Sequence, residues 1–131
     1  MSNNLATVQQ IYACFAQGDI PGILAKLADN VTFFNGSNPA VAPFGGTFRG
    51  KDGVLQFFQN LGVTTQTTHF EPSNFREEGG KIVNDVLHNG IVTPTGKPFS
   101  VMALFTWSFN EAGQVTDWKG TGDFSSINNA F

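Results

Sequence analysis

Residues 99–109 restrict the fold of this chain more than any other segment, because apolar side chains recur there at every second position. One face of an extended chain would carry Phe99, Val101, Ala103, Phe105, Trp107 and Phe109, and the other Ser100, Met102, Leu104, Thr106 and Ser108. Side chains alternate between the two faces of a β-strand, so the pattern predicts a strand with one face on an apolar core. Such a strand needs neighbours for its backbone hydrogen bonds, so the chain must contain a sheet.

The rest of the second half also predicts strands joined by short turns. Segments rich in β-branched and aromatic residues cover 64–75, 82–92 and 114–124. The second of these is expected to break at Asn89-Gly90. Turn-forming residues cluster at 77–80, 93–98 and 110–113. Strands joined by such short connections form an antiparallel meander.

The first half predicts helices. They are expected at 5–17, from Asp19 to about Asn30, and at 51–61, with a short strand at 31–35 and a loop at 36–46. Gly18 is a suitable helix stop, and Asp19 is a suitable N-cap for the second helix. Helices followed by a meander indicate an α+β fold, and 131 residues fit a single domain over 1–131.

The composition is unusual in its 14 phenylalanines beside one tyrosine and two tryptophans. Phenylalanine adds apolar area without a polar group, so the domain has either a large core or an apolar cavity. The net charge of -3 argues against a nucleic-acid surface, which needs clustered lysine and arginine. The single cysteine, Cys14, excludes an intrachain disulfide and an all-cysteine metal site.

The sequence carries no targeting or cofactor motif. Its apolar runs fall short of the roughly 20 residues that span a bilayer, so no membrane association is expected. Residues 1–10 are polar and lack the pattern of a signal peptide, which predicts a cytoplasmic protein. The sequence has no dinucleotide fingerprint, phosphate loop or nucleophile elbow, so no cofactor is expected.

Several segments resemble the nuclear transport factor 2-like superfamily, and most closely its SnoaL-like and ketosteroid isomerase-related branch. These segments are 8–13, 18–19, 27–33, 46–54 with Phe57-Phe58, 96–99 and 113–118. The resemblance implies a cystatin-like cone, in which three N-terminal helices pack on a strongly curved antiparallel sheet around an apolar pocket. The superfamily includes isomerases, cyclases, hydrolases and plain binding proteins, so the fold alone does not identify the function.

The resemblance also shows where a ketosteroid isomerase would carry its catalytic groups. The carboxylate base matches Asn35, whose neutral amide cannot take a proton. The tyrosine donor matches Ile11, with Tyr12 one place later, and the aspartate donor matches Phe105. All three positions depart from the pattern, which argues against ketosteroid isomerase activity.

Two other activities of the family also lack their residues. Epoxide hydrolysis needs two carboxylates and an arginine, but the arginines here are Arg49 in a structural turn and Arg76 beside a surface turn. Asp85 has no arginine two residues before it. The acid of cyclase-like relatives matches Gly120.

The last strand is expected to turn its acids away from the pocket. If Trp118 points inward, as the resemblance implies, alternation places Asp117 and Asp123 on the outer face. Gly120 and Gly122 then lie on the inner face, where they either widen the pocket or permit a sharp bend.

A predicted pocket follows from the resemblance combined with this alternation. Its lining is expected to comprise Ile11, Tyr12, Phe15, Phe33, Asn35, Phe57, Phe58, Val86, His88, Val101, Phe105, Trp107 and Trp118. A lining of this kind favours an apolar, ring-containing small molecule with one or two polar groups.

Three polar residues are candidates to contact that ligand. His88 is a candidate base, acid or donor, or else a histidine hydrogen-bonded at the sheet or exposed at a strand end. Tyr12 is a candidate donor, or else a core residue. Asn35 either orients a ligand oxygen or forms a turn with Gly36. His69 is expected to be exposed, and no metal site is expected from the spacing of the histidines.

Two functions remain open at this point. One is a SnoaL-like enzyme, isomerase- or cyclase-like, with His88 as base or acid and Tyr12 or Asn35 as donor. The other is a non-catalytic domain that binds a lipophilic molecule. The resemblance also implies a homodimer through the outer sheet face, where Met102 and Leu104 would lie, although isolated exposed apolar side chains need no partner.

Overall fold

The computed structural model describes residues 3–131; Met1 and Ser2, which belong to the predicted domain, lie outside the described residues. The helices are α1 (Asn4–Ala16), α2 (Ile20–Leu24), α3 (Gly50–Thr64) and α4 (Ser125–Ala130). The strands are β1 (Leu27–Asn35), β2 (Gly46–Arg49), β3 (Thr65–Glu78), β4 (Lys81–Val92), β5 (Lys97–Phe109) and β6 (Val115–Gly122). The α+β class predicted from the sequence is confirmed.

The strands form a sheet in the order β2-β1-β6-β5-β4-β3. Neighbouring strands are antiparallel except β1 and β6, which run parallel with Phe33 opposite Trp118. The prediction of an antiparallel sheet therefore needs a correction at this pair. Parallel neighbours require a long connection, and the residues between β1 and β6 supply it.

Irregularities in the strand pairing accompany the curvature of the sheet. The register between β3 and β4 shifts between Thr67 and His69 and again between Ser73 and Arg76, and that between β5 and β6 shifts between Ser108 and Phe109. An extra residue in one strand bends it and increases its twist. The sheet curves and stays unclosed around the helices, so the expected cone is confirmed.

The alternation predicted for residues 99–109 is confirmed. Phe99, Val101, Ala103 and Trp107 are at most 5% exposed, and Met102 on the opposite face is 59% exposed. The core lies between this inner face and helices α1, α3 and α4. Within residues 3–131 no helix is long and apolar enough to cross a membrane.

The second helix is much shorter than predicted. Asp19 caps it as expected, its carboxylate accepting a hydrogen bond from the Gly22 amide at 3.0 Å. The chain turns after Leu24, and β1 begins at Leu27, which is fully buried and pairs with Val115. Leu27 fits a helical apolar stripe as well as a strand, so the local pattern did not separate the two.

Two elements were not predicted at all. Strand β2 covers the turn-like 46–49 and pairs with β1, and helix α4 follows the last strand, which ends at Gly122. Helix α4 packs on β5, where Ser126 Oγ accepts a hydrogen bond from the Ser100 amide at 3.0 Å. Ile127 and Ala130 of α4 are buried. The polar sequence of α4 carries too few apolar residues to reveal it.

Two predicted interruptions are absent. Helix α3 continues past Gly62 to Thr64, because Gly62 is not among the glycines whose positive φ could end a helix. Strand β4 runs through Asn89-Gly90 without a break. A Cβ at Gly90 would lie 2.5 Å from the Gln66 carbonyl oxygen and 2.8 Å from the Phe99 ring, so the glycine serves close packing rather than a turn.

Candidate functional site

An apolar cavity of about 80 Å³ lies between the helices and the inner face of the sheet. By this measure one water needs about 10–15 Å³, so the cavity accommodates a small ligand. Its lining comprises Ile11, Tyr12, Phe15, Ile23, Phe33, Asn35, Ser37, Phe44, Phe57, Phe58, Leu61, Phe70, Val86, His88, Val101, Ala103, Phe105, Trp107, Trp118, Phe124 and Ile127. The thirteen residues named above from the sequence are all among them.

Aromatic rings form most of the cavity wall, and Trp118 lies at their centre. Its ring centroid is 4.8 Å from that of Phe105 with the planes at 90°, and 5.0 Å from that of Phe33. The ring centroids of Phe57 and Trp107 lie 5.6 Å and 6.3 Å from that of Trp118. Tilted and edge-to-face contacts of this kind are the favourable geometry for aromatic pairs, so the rings hold one another in place.

Gly120 makes room for the Trp118 ring. A Cβ at Gly120 would lie 2.9 Å from Cζ2 and Cη2 of Trp118 and 3.3 Å from Phe105. At Gly122, which has a φ of +137°, a Cβ would lie 2.9 Å from the Met102 carbonyl oxygen. These glycines are required by packing and backbone conformation, and at Gly120 the Trp118 ring occupies the space that would otherwise enlarge the pocket.

Asn84 is a buried polar residue that the sequence analysis missed. It is fully buried, and its Oδ1 lies 3.0 Å from the Tyr12 hydroxyl and accepts a hydrogen bond from Trp107 Nε1 at 3.1 Å. Its amide nitrogen lies 2.8 Å from the same hydroxyl and donates to the Asp85 carbonyl at 3.1 Å. Asn84 shares the face of Val86 and His88 on β4, and that even spacing was the signal available in the sequence.

Tyr12 therefore lines the cavity with its hydroxyl already bonded to Asn84. Burial raises the pKa of Tyr12, with the hydrogen bonds from Asn84 and Trp107 acting in the opposite direction. The hydroxyl stays protonated, and its hydrogen bonds are made within the protein. This geometry suits the core role that the sequence left open beside the donor role.

His88 lines the cavity from β4. Its Nε2 lies 2.9 Å from Thr67 Oγ1, and its ring contacts Phe70 and Phe99 edge-on at 5.2 Å and 5.1 Å. Burial lowers its pKa from 6.5 to about 4, so the imidazole is neutral at pH 7. A neutral imidazole carries one donor and one acceptor nitrogen, which suits hydrogen bonding to an uncharged ligand.

Asn35 lies at the end of β1, 8% exposed, and its Oδ1 accepts a hydrogen bond from the Ser37 amide at 2.9 Å. This is the turn role proposed for it, and the residue lines the cavity as well. Ser37 and Trp118 also line the cavity, and their polar atoms Oγ and Nε1 are buried with no hydrogen-bond partner among the described residues.

The acidic residues lie outside the cavity. Asp85 Oδ2 accepts a hydrogen bond from Asn74 Nδ2 at 2.7 Å on the outer face of β4, and Arg76 Nη1 lies 4.0 Å from its other oxygen. Asp117 and Asp123 are exposed. The pKa of Asp123 is lowered by hydrogen bonds from Ser125.

The histidines do not converge on a metal site. His69 is exposed, and its Nε2 lies 3.0 Å from Glu71 Oε1 at the surface of β3. Among residues 3–131 there is no group of three or more histidine, cysteine or acidic side chains that could hold a metal ion.

Solved structures share this fold over almost the whole chain. An NTF2-like protein of unknown function from Burkholderia pseudomallei is 26% identical with a TM-score of 0.88, covering 99% of this chain and 98% of that one. A Mycobacterium tuberculosis protein in complex with estradiol-17β-hemisuccinate is 22% identical with a TM-score of 0.78, over 96% and 98% of the chains. The Δ5-3-ketosteroid isomerase of a Mycobacterium species is 21% identical with a TM-score of 0.77, over 96% and 97%.

The sequence itself matches one family model. No curated protein matches the chain. The model of the SnoaL-like domain matches residues 8–118, which covers α1 through most of β6 and includes most of the cavity wall. The chain therefore belongs to the family of SnoaL-like domains.

Proposed function

We propose that this protein binds an apolar, ring-containing small molecule in its interior cavity. The observation that carries the proposal is the cavity wall, which is built almost entirely of aromatic and aliphatic side chains. Among the described lining residues none is an acid, a lysine or an arginine, and His88 is neutral at pH 7. Each 100 Å² of apolar ligand surface removed from water contributes about 2.5 kcal/mol, so affinity needs no charged contact. A similar structure holds estradiol-17β-hemisuccinate, whose steroid skeleton is apolar and ring-containing.

His88 supports binding rather than turnover. A general base is most effective when its pKa lies near the working pH, and burial lowers the pKa of His88 to about 4. A general acid must be protonated, and His88 is not protonated at pH 7. Tyr12 is the other candidate for proton transfer, but its hydroxyl is already hydrogen-bonded to Asn84 within the protein.

The test uses 1-tetralone, a bicyclic ketone with exchangeable protons next to its carbonyl. Isothermal titration calorimetry measures its binding, and proton NMR in D₂O measures exchange of those protons in the same sample. We expect saturable binding and an exchange rate equal to that of buffer alone. His88→Ala should weaken binding by removing a polar contact, and it should leave the exchange rate unchanged.

The enzymatic alternative predicts a different pair of results. If His88 acts as a base, the protein accelerates exchange and His88→Ala abolishes the acceleration. That outcome would replace the binding function with an isomerase-like one. Absence of saturable binding by 1-tetralone and by related cyclic ketones would overturn both.

A second proposal concerns the outer face of the sheet. We propose that two copies of the chain associate there, with Met102 at the centre of the interface. Met102 is 59% exposed, pairs with Leu87 on β4, and lies on the same face as half-buried Leu104. Neighbouring apolar side chains on an exposed face favour association with a second surface.

Sedimentation velocity tests this association. The wild-type protein is expected to sediment as a dimer, and Met102→Lys as a monomer because it places a charge within the apolar contact. Val63→Lys is the matched control, since Val63 is 73% exposed on α3 and lies away from this face. A monomeric wild type, or equal effects of the two substitutions, would contradict the proposal.

A further inference from the structure

We propose that the indole N–H of Trp118 is a hydrogen-bond donor to an uncharged oxygen of the ligand, so that the cavity selects a neutral ring ketone or alcohol over the matching hydrocarbon. This inference rests on the proposed binding function and names the chemistry that the same site recognises. It starts from a buried polar atom of a cavity-lining residue, an atom that has no hydrogen-bond partner within residues 3–131.

Trp118 is 4% exposed, lines the cavity, and its Nε1 has no hydrogen-bond partner among the described residues. Ser37, 3% exposed in the same wall, has an unpartnered Oγ as well. Nearly all buried polar groups in folded proteins are hydrogen-bonded, and leaving one unpaired costs stability. Two unpaired groups in one cavity wall indicate that a molecule bound in the cavity supplies the missing partner.

The other tryptophan shows that this chain does pair its interior polar atoms. Trp107 also lines the cavity, and its Nε1 donates to Asn84 Oδ1 at 3.1 Å. Tyr12, in the same wall, bonds to the same asparagine. The unpaired indole of Trp118 thus contrasts with Trp107 and Tyr12, whose polar atoms are bonded within the protein.

The Trp118 ring is held in one orientation, which a selective donor requires. Phe105 packs against it at 90° with centroids 4.8 Å apart, and Phe33 packs at 5.0 Å. The Cζ2 and Cη2 edge of the ring lies against Gly120, where a Cβ would be only 2.9 Å away. Gly120 pairs with Asn35 and its carbonyl accepts from the Gly36 amide at 2.9 Å, so this part of the wall leads directly to the turn that holds Ser37.

The polar groups of the lining determine which kind of ligand oxygen can bind there. An indole N–H donates and cannot accept, so its partner must be an acceptor such as a carbonyl or hydroxyl oxygen. No lysine or arginine lies among the described lining residues, so a buried carboxylate would have no counter-charge and would pay a large desolvation cost. A neutral oxygen on an apolar ring system satisfies both conditions.

The experiment compares 1-tetralone with tetralin, the hydrocarbon of the same ring skeleton, on the wild-type protein and on Trp118→Phe. Calorimetry gives the four dissociation constants. We expect the substitution to raise the dissociation constant of 1-tetralone about five- to tenfold, which corresponds to the loss of one hydrogen bond. The dissociation constant of tetralin should change less than about twofold. Comparing the effect of the substitution on each ligand cancels the different solvation of the two molecules.

Trp107→Phe is the matched control, because it removes an indole whose N–H is already bonded within the protein. It should affect both ligands alike. A second measurement uses the wild-type protein. The NMR resonance of the Trp118 indole N–H is assigned by comparison with the two variants, and it should move downfield when 1-tetralone is added but not when tetralin is added.

The outcomes separate this inference from the proposed function. Equal weakening of both ligands by Trp118→Phe, or an indole resonance that responds alike to both, overturns the inference and leaves the binding function standing. If neither ligand binds the wild-type cavity, the proposed function fails and the inference fails with it. Selective loss of 1-tetralone together with the selective downfield shift establishes the Trp118 contact.

Discussion

At the scale of single residues, the fold changes the protonation of His88 between about pH 4 and 6.5. Its imidazole packs between Phe70 and Phe99, and its described hydrogen bond is with the hydroxyl of Thr67. Removing a histidine from water without an acidic partner disfavours its charged form. The same burial that fits His88 to contact a neutral ligand therefore makes the fold sensitive to acid.

The pH dependence of stability follows from that shift. The pKa of His88 is 6.5 before folding and about 4 in the folded protein, so between these values the unfolded chain binds the proton more tightly. The free energy of unfolding should fall by about 3 kcal/mol as the pH drops from about 6.5 to 4. Urea unfolding of wild type and His88→Gln across this range measures it. The variant should lose less stability than the wild type, and equal losses would show that His88 is not responsible.

Gly120 is the second residue with a sharp prediction. Gly120→Ala places a Cβ 2.9 Å from the Trp118 ring, and crowding of a packed wall costs about 1–3 kcal/mol. Gly62→Ala is the matched control, because α3 leaves open space at Gly62 and alanine favours a helix by about 0.5–1 kcal/mol. Thermal unfolding should show the first variant destabilised and the second stabilised. A Gly120→Ala protein as stable as the wild type would contradict the packing described for Trp118.

At the scale of elements, Asn84 joins one helix to two strands. From β4 its side chain reaches Tyr12 on α1 and Trp107 on β5. Hydrogen bonds in a water-free interior are worth most when every member of the network is satisfied, and a network with one member removed leaves the others unpaired. The asparagine thus holds α1 over the curved sheet and shapes this side of the cavity.

Substitutions in this network should have unequal costs. Asn84→Leu leaves both the Tyr12 hydroxyl and Trp107 Nε1 without a partner and should cost about 2–4 kcal/mol. Tyr12→Phe removes the contacts of the hydroxyl with Asn84 Oδ1 and Nδ2, but Asn84 keeps its contacts with Trp107 and the Asp85 carbonyl, so it should cost less, about 1–2 kcal/mol. Chemical denaturation of the two variants and of the double variant measures this. Equal costs for the two single substitutions would show that the network is not organised around Asn84.

The elements that could be predicted from the sequence are those with strong local signals. The alternation of residues 99–109 gave the inner face of β5, because period-two patterning depends only on neighbours in the strand. The boundary of α2 and β1 could not be found locally, because Leu27 suits either element and its strand partner Val115 is distant in sequence. Helix α4 was missed because it is mostly polar and is held by packing on β5 rather than by its own pattern.

The site was predictable to the same extent. The resemblance and the alternation named thirteen side chains of the cavity wall, and Asn84 was on the same alternating face but was not considered. What no sequence pattern supplies is which buried polar atoms find partners. That Tyr12 is bonded and Trp118 Nε1 is not depends on side chains from three elements meeting in space.

At the scale of the whole molecule, the curved sheet and the helices enclose a space that the aromatic side chains do not fill. The acidic residues lie outside the cavity, and the polar groups of its described lining are neutral. These features support the proposed binding of an uncharged molecule within this fold.

The most direct test of this account is an NMR titration of the wild-type protein with 1-tetralone, followed through its assigned methyl groups. Val86 and Val101 face the cavity, whereas Met102 and Leu104 lie on the opposite face of the same sheet. The account predicts saturable shifts at Val86 and Val101 with Met102 and Leu104 unchanged. Shifts confined to the outer face, or none that saturate, would contradict it.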